Sequence, residues 1–161
     1  MAQLTYEEAN HLLRYDPDTG KLYWRIYKKG RNMRNEAGCI NKLDNRRSIR
    51  IDYKLYRTYR LVWLLHYKKW PTKELDHKDG NSLNNKIDNL REATRSQNLG
   101  NSKRSLRNKS GFKGVSWNKN AQKYIVEVKH KYVGLFNTAE EAHEAYKKAA
   151  IEAFGEFARF E

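Results

Sequence analysis

Asp76 and His77 stand side by side in LDHKDGNSLNNKIDNLREATRSQN, with Asn89 twelve residues past the histidine and Asn98 nine further on. An acid, an imidazole and two carboxamides are enough for a one-metal centre that hydrolyses a phosphodiester. The carboxylate of Asp76 and the side-chain oxygen of Asn98 would hold a divalent cation, since Mg²⁺ takes hard oxygen donors and fills its remaining positions with water. Near neutral pH an imidazole can take a proton from an attacking water, and an Asn89 oxygen accepting from its other nitrogen would fix the ring. The same residue types also suit a surface loop of turn-formers. A calcium loop is a poor reading, because Leu83 and Asn84 fall where an oxygen ligand and a glycine would be needed.

The charge along the chain bears on that choice. The 161 residues carry a formal charge of +14, with 39% hydrophobic and 32% charged residues. Such a balance fits a polyanion, most often nucleic acid. No long apolar run or amphipathic basic helix points to a membrane. Residues 20–70 hold fifteen Lys/Arg against three Asp/Glu, residues 71–100 five against five, and residues 101–131 nine against Glu127 alone. The neutral stretch with the candidate site thus lies between two basic blocks. The single cysteine, Cys39, excludes a disulfide framework or a cysteine-based zinc site within one chain, and is expected to be a small half-buried residue. The N-terminal sequence shows no secretory pattern, so a cytoplasmic location is expected.

The elements that would position these groups follow from local signals. Thr5-x-x-Glu8 is a capping box that predicts a helix over about 6–13. The turn Asp16–Gly20 then leads into a strand, KLYWRIY (21–27). Gly30 to Asn45 reads as loop with short extended pieces. SIRIDYKLYRTYR alternates as a half-exposed strand or hairpin would, and LVWLLHY (61–67) reads as a buried helix ending before Pro71. Glu74–Lys78 predicts a strand, Asp79-Gly80-Asn81 a turn, and Ile87–Leu90 a return. Thr94-x-x-Gln97 is a second capping box whose helix would carry Asn98. Residues 101–111 read as a flexible basic linker. FKGVSW, KYIVEVK and KYVGLF predict an antiparallel meander. Thr138-x-x-Glu141 opens a helix with alanines at spacings of three and four, stopped by Gly155. His66 is expected to be a half-buried structural residue, and His11, His130 and His143 surface residues.

DHKDGNSLNNKIDNLREATRSQN resembles the HNH endonuclease motif in the phage and intron-encoded homing version that ends in Asn. RLVWLLHYKKWP and YDPDTGKLYWR resemble the segments that precede it there, so the likeness spans most of residues 5–101. It implies His77 as general base, Asn89 as the residue orienting it, Asp76 and Asn98 as metal ligands, and Mg²⁺ (or Mn²⁺) rather than zinc as cofactor. Tyr59 stands where many relatives have His. Residues 111–158 resemble the Apetala-two DNA-binding domain through GVSW, VGLFNTAEEAHEAY and the alanine-rich helix, which implies a three-stranded sheet laid in a DNA groove.

An α+β chain is therefore expected: a nuclease domain with a ββα-metal (HNH) core over 1–100, a basic linker over 101–110, and a small three-stranded antiparallel sheet packed on one helix over 111–161. The linker residues Lys103, Arg104, Arg107 and Lys109 and the sheet residues Lys113, Trp117, Lys119, Lys123, Lys129 and Lys131 would meet DNA, chiefly at phosphates. The expected activity is metal-dependent cleavage of double-stranded DNA, as nicking by a monomer or paired nicks by a DNA-induced dimer, with no obligate protein partner. The rival reading is a sequence-specific DNA-binding regulator built on a non-catalytic HNH scaffold. RNA binding fits the charge but neither motif.

Overall fold

The structure is a computed structural model that describes residues 3–27, 29 and 33–161. The first residues of the loop expected from Gly30, numbers 30–32, lie outside the described residues. Mixed α and β structure is present, with four small sheets and four α-helices among the described residues. The chain divides into two compact units, Met1–Glu92 and Ala93–Glu161. The two compact units divide eight residues before the boundary expected at 100/101, because helix α3 packs with the C-terminal helix rather than counting with the first unit.

In the first unit, α1 (Tyr6–Leu12) starts on the Thr5 capping box, with Thr5 and Glu8 bonding each other's backbone N–H. It runs directly into β1 (Leu13–Asp16), a strand too short and too polar to be read from the sequence. β1 pairs antiparallel with β2 (Lys21–Trp24) through the Asp16–Gly20 turn. β3 (Cys39–Asn41), β4 (Arg46–Ile51) and β5 (Lys54–Arg57) form a three-stranded antiparallel sheet. Between β4 and β5, Asp52 and Tyr53 both take positive φ, as a two-residue hairpin turn requires. α2 (Thr58–Tyr67) starts three residues before the expected apolar run and ends on Lys68 in the left-handed conformation. β6 (Glu74–His77) pairs with β7 (Leu90–Ala93), and the segment expected to return at Ile87 is first a short 3₁₀ turn. Leu13, Leu22, Ile49, Ile51, Leu61, Val62 and Leu64 form the core, each contributing about 1.5–3 kcal/mol by burial. The Trp70 indole N–H donates to the Leu4 carbonyl at 2.8 Å and ties the start of the chain to the segment after α2.

In the second unit, α3 (Arg95–Gly100) starts on the Thr94 capping box. β8 (Val115–Asn118), β9 (Lys123–Val128) and β10 (Lys131–Phe136) form the expected meander, in the order β10-β9-β8. α4 (Ala139–Phe154) lies on it, capped by Thr138 and Glu141. The small faces of Ala142 and Ala150 allow a close approach, and Tyr146 fills the remaining space with Val115, Val126 and Val128. Residues 101–110 have no helix or strand but do hold fixed hydrogen bonds. The Asn108 amide donates to the carbonyls of Phe112 and Val115, and the Arg104 N–H donates to the Glu161 carbonyl.

Three single-residue expectations change. Cys39 and His66 are exposed rather than half-buried. His143 is half-buried rather than a surface residue: its ring stacks with those of Phe112 and Tyr146, at centroid distances of 4.7 and 6.2 Å. Among the described residues no helix is long and apolar enough to cross a membrane.

Candidate active site

β6 carries Asp76 and His77 at its end, and both are buried, at 7% and 5% exposure. Successive strand residues point to opposite faces, so the two side chains find different partners. Asp76 Oδ2 accepts from Arg91 Nε at 2.9 Å, an ion pair between neighbouring strands β6 and β7. His77 Nε2 lies 3.0 Å from Asn85 Oδ1. The edge of one ring meets the face of the other where His77 approaches Tyr59, with centroids 5.3 Å apart and planes at 73°. The Tyr59 hydroxyl accepts from Arg46 at 3.0 Å, and the Arg46 guanidinium also lies over the Tyr59 ring.

The electrostatics favour a neutral imidazole. Burial pushes the His77 pKa below its ordinary value, and Arg46 adds to this; the hydrogen bond to Asn85 and the charges of Asp79 and Asp76 act the other way.

Between β6 and β7, residues 78–89 form a tightly bonded loop. Asn89 was expected to orient His77, but its side chain is committed elsewhere. Its Oδ1 accepts from the Asp79 N–H at 3.1 Å, and its Nδ2 donates to Asp79 Oδ1 and to the Asn84 carbonyl. The Asn89 carbonyl accepts from the Lys78 N–H. Asp79 Oδ1 also accepts from the Asn81 N–H, and Oδ2 from the Asn84 amide, and these bonds hold its carboxyl below the usual carboxylate range against the opposing effect of burial. Asn89 is thus the clasp of the loop, and Asn85 is the carboxamide that meets the imidazole. Sequence reasoning missed Asn85, Arg91 and Arg46. The one available signal for Asn85 was the Asn84-Asn85 pair, which the surrounding run of carboxamides obscured.

Asp76, His77 and Asn89 belong to the first unit, and Asn98 stands half-buried on α3 in the second. Among the described residues no three His, Cys, Asp or Glu side chains gather as a metal site. Asp76 offers a carboxylate oxygen and Asn98 a carboxamide oxygen, donor types that Mg²⁺ takes together with water.

The residues expected to meet DNA are spread over different surfaces of the second unit. Lys103, Arg107, Lys109, Lys119 and Lys123 are exposed, and Arg104 is partly covered, donating to the Asn108 carbonyl. Lys113 is 9% exposed, and its ammonium donates to the Gly100 carbonyl at 2.6 Å. Burial there lowers its pKa to about 8. Lys129 reaches the Ala153 carbonyl, and Lys131 borders a groove with Ala149 and Glu152, so both turn toward α4. Trp117 stands opposite Tyr124 in the register, in the row of Val115 and Val126. It is 47% exposed and meets Tyr124 edge-on at 4.9 Å. The alternation leaves Ser116, Lys123, Ile125, Glu127 and Leu135 for the opposite face.

Comparison with known proteins identifies part of the chain. Residues 56–99 match the HNH endonuclease family. This segment, an HNH endonuclease domain, contains β6, the loop, β7 and most of α3. The chain is also similar to Protein 3.8 of Escherichia phage T7, at 41% identity over 75 residues. That alignment covers 46% of this chain and 62% of the phage protein's length. No solved structure matches the chain.

Proposed function

We propose, from the HNH match over residues 56–99, that the chain is a metal-dependent endonuclease of the homing type that hydrolyses phosphodiester bonds in double-stranded DNA. The observation that carries the reading is the buried imidazole of His77, kept neutral by its surroundings and held at a fixed nitrogen beside the Asp76 carboxylate. A general base needs this state, an unprotonated ring in a set orientation. Water attacks phosphorus as His77 takes one of its protons. The bond from phosphorus to the leaving sugar oxygen breaks and that oxygen takes up a proton from solvent, so the cut strand is left with one end carrying phosphate and one carrying a hydroxyl. Asp76 and Asn98 are the residues that would hold Mg²⁺ or Mn²⁺, and the bound ion would neutralise phosphate charge and stabilise the leaving oxygen. In the strand, strand, helix order of 74–100 we read the ββα-metal core of the family.

The C-terminal sheet and helix serve in this reading as an Apetala-two-like DNA anchor, with the exposed Lys103, Arg107, Lys109, Lys119 and Lys123 on phosphates. One centre per chain fits nicking by a monomer. The test is supercoiled plasmid incubated with Mg²⁺, Mn²⁺ or EDTA, beside His77→Ala. Metal-dependent relaxation that the substitution removes supports the reading, and cleavage that survives it refutes the role of His77.

The Arg91–Asp76 ion pair favours a second reading, a DNA-binding regulator on an inactive scaffold, because an arginine already neutralises the carboxylate. Tight, specific duplex binding without cleavage in any divalent metal would select it.

A further inference from the structure

We infer that Asn85 is the positioning residue of the site: it fixes His77 as the tautomer protonated at Nε2, so that Nδ1 is the nitrogen that takes the proton from water. The inference deepens the nuclease reading and rests on it for the role of the base, but the tautomer itself can be observed without cleavage.

The chemistry is one of donors and acceptors. An amide oxygen can only accept, so the 3.0 Å contact between Asn85 Oδ1 and His77 Nε2 requires the proton to sit on Nε2. In a neutral imidazole the lone pair is then at Nδ1. Both partners are fixed. Asn85 is 2% exposed and His77 is 5% exposed, so neither can exchange this bond for water without opening the loop. The Tyr59 ring against His77 limits rotation of the imidazole from another side.

The fold places Asn85 with some precision, and it does so from the far end of the chain. The Ile87 N–H donates to the Tyr15 hydroxyl at 3.2 Å, which ties the segment after Asn85 to β1. Gly20, at the end of the β1–β2 turn, lies directly against the backbone of Asn85 and Lys86. It has φ +73°, and a Cβ there would collide with Lys86 N and lie 2.7 Å from the Asn85 carbonyl carbon. The N-terminal hairpin is thus the wall against which the Asn85 segment is set. This gives the Asp-Pro-Asp-Thr-Gly turn a purpose beyond connecting two strands.

The experiment is ¹⁵N NMR of the imidazole nitrogens in the full chain, free of metal and DNA, on the alkaline side of the ring's titration. The His77 signals are those missing from His77→Gln. The expected result is a pyrrole-type shift at Nε2 and a pyridine-type shift at Nδ1. A proton on Nδ1, or an even mixture of tautomers, overturns the inference whether or not the protein cuts DNA. Two variants then test the consequence. Asn85→Leu, close in size and without an acceptor, is expected to mix the tautomers and lower kcat by about 10–100-fold with KM little changed. Asn85→Asp, which keeps an acceptor, is expected to retain the Nε2–H tautomer and most of the activity. Equal loss of activity in both variants, with the tautomer unchanged in Asn85→Leu, overturns the positioning role. If the wild-type chain shows the expected tautomer and cuts nothing, the nuclease reading fails and the geometry stands.

Discussion

Burial is the strongest influence on His77, and it acts against the imidazolium. Above pH 6.5 the ring is neutral in both the folded and the unfolded chain. Between 6.5 and the lower folded value, only the unfolded chain takes up a proton, so this group makes folding stability fall as the pH drops through that window. The same displacement sets the expected rate profile. Initial nicking rates at saturating metal should fall only below pH 6.5 and be level above neutrality; a midpoint above 6.5 would contradict a base held in this pocket. At this scale the sequence was legible for residue type and not for partner. Asp76 and His77 could be read from an adjacent acid and imidazole. Six asparagines lie within residues 81–101, however, and composition cannot say which one meets the ring. Spacing favoured Asn89, and the loop turned that residue inward onto Asp79 and brought up Asn85 instead.

Elements announced by reciprocal chemistry were the most readable. The three capping boxes at Thr5, Thr94 and Thr138 all form, each with both bonds, because their hydrogen bonds are local and independent of the rest of the fold. β1 went unread because Arg14 and Asp16 give its four residues little apolar pattern, and its strand state comes from pairing with β2. The β1–β2 turn is where the element scale meets the site. Gly20→Ala forces a side chain into a left-handed position and against the Asn85 segment, and is expected to cost about 1–3 kcal/mol. Thermal denaturation should show the lower midpoint, and the nicking rate should fall further than stability alone explains. Lys113 shows the limit of reading strand faces from charge. Near a predicted strand it read as a DNA contact, yet its ammonium is buried on the end of α3. Between pH 8 and 10.5 the unfolded chain keeps a proton that the folded chain has lost, so this lysine should make stability rise with pH there. The difference in unfolding free energy between wild type and Lys113→Met is therefore expected to increase across that window. A flat difference would mean that the ammonium is not desolvated.

At the level of the whole molecule, charge division was the readable feature, since a net +14 with a neutral centre requires no knowledge of packing. The division into units at 92/93 was not readable, because it depends on which helix α3 packs against. If the C-terminal unit grips DNA phosphates with its exposed lysines, Lys119→Ala and Lys123→Ala should each lower the slope of log affinity against log salt by about 1. Lys113→Met should leave that slope unchanged, and fluorescence anisotropy across a salt series distinguishes the two cases. The account stands most directly on one measurement, the metal-dependent nicking rate of supercoiled DNA by wild type and by His77→Ala, made on samples shown to bind duplex DNA equally. The account predicts nicking that needs a divalent ion and falls by about 10²–10⁴-fold in the variant. Equal rates in the two proteins, or no nicking by wild type in any divalent metal, would contradict it.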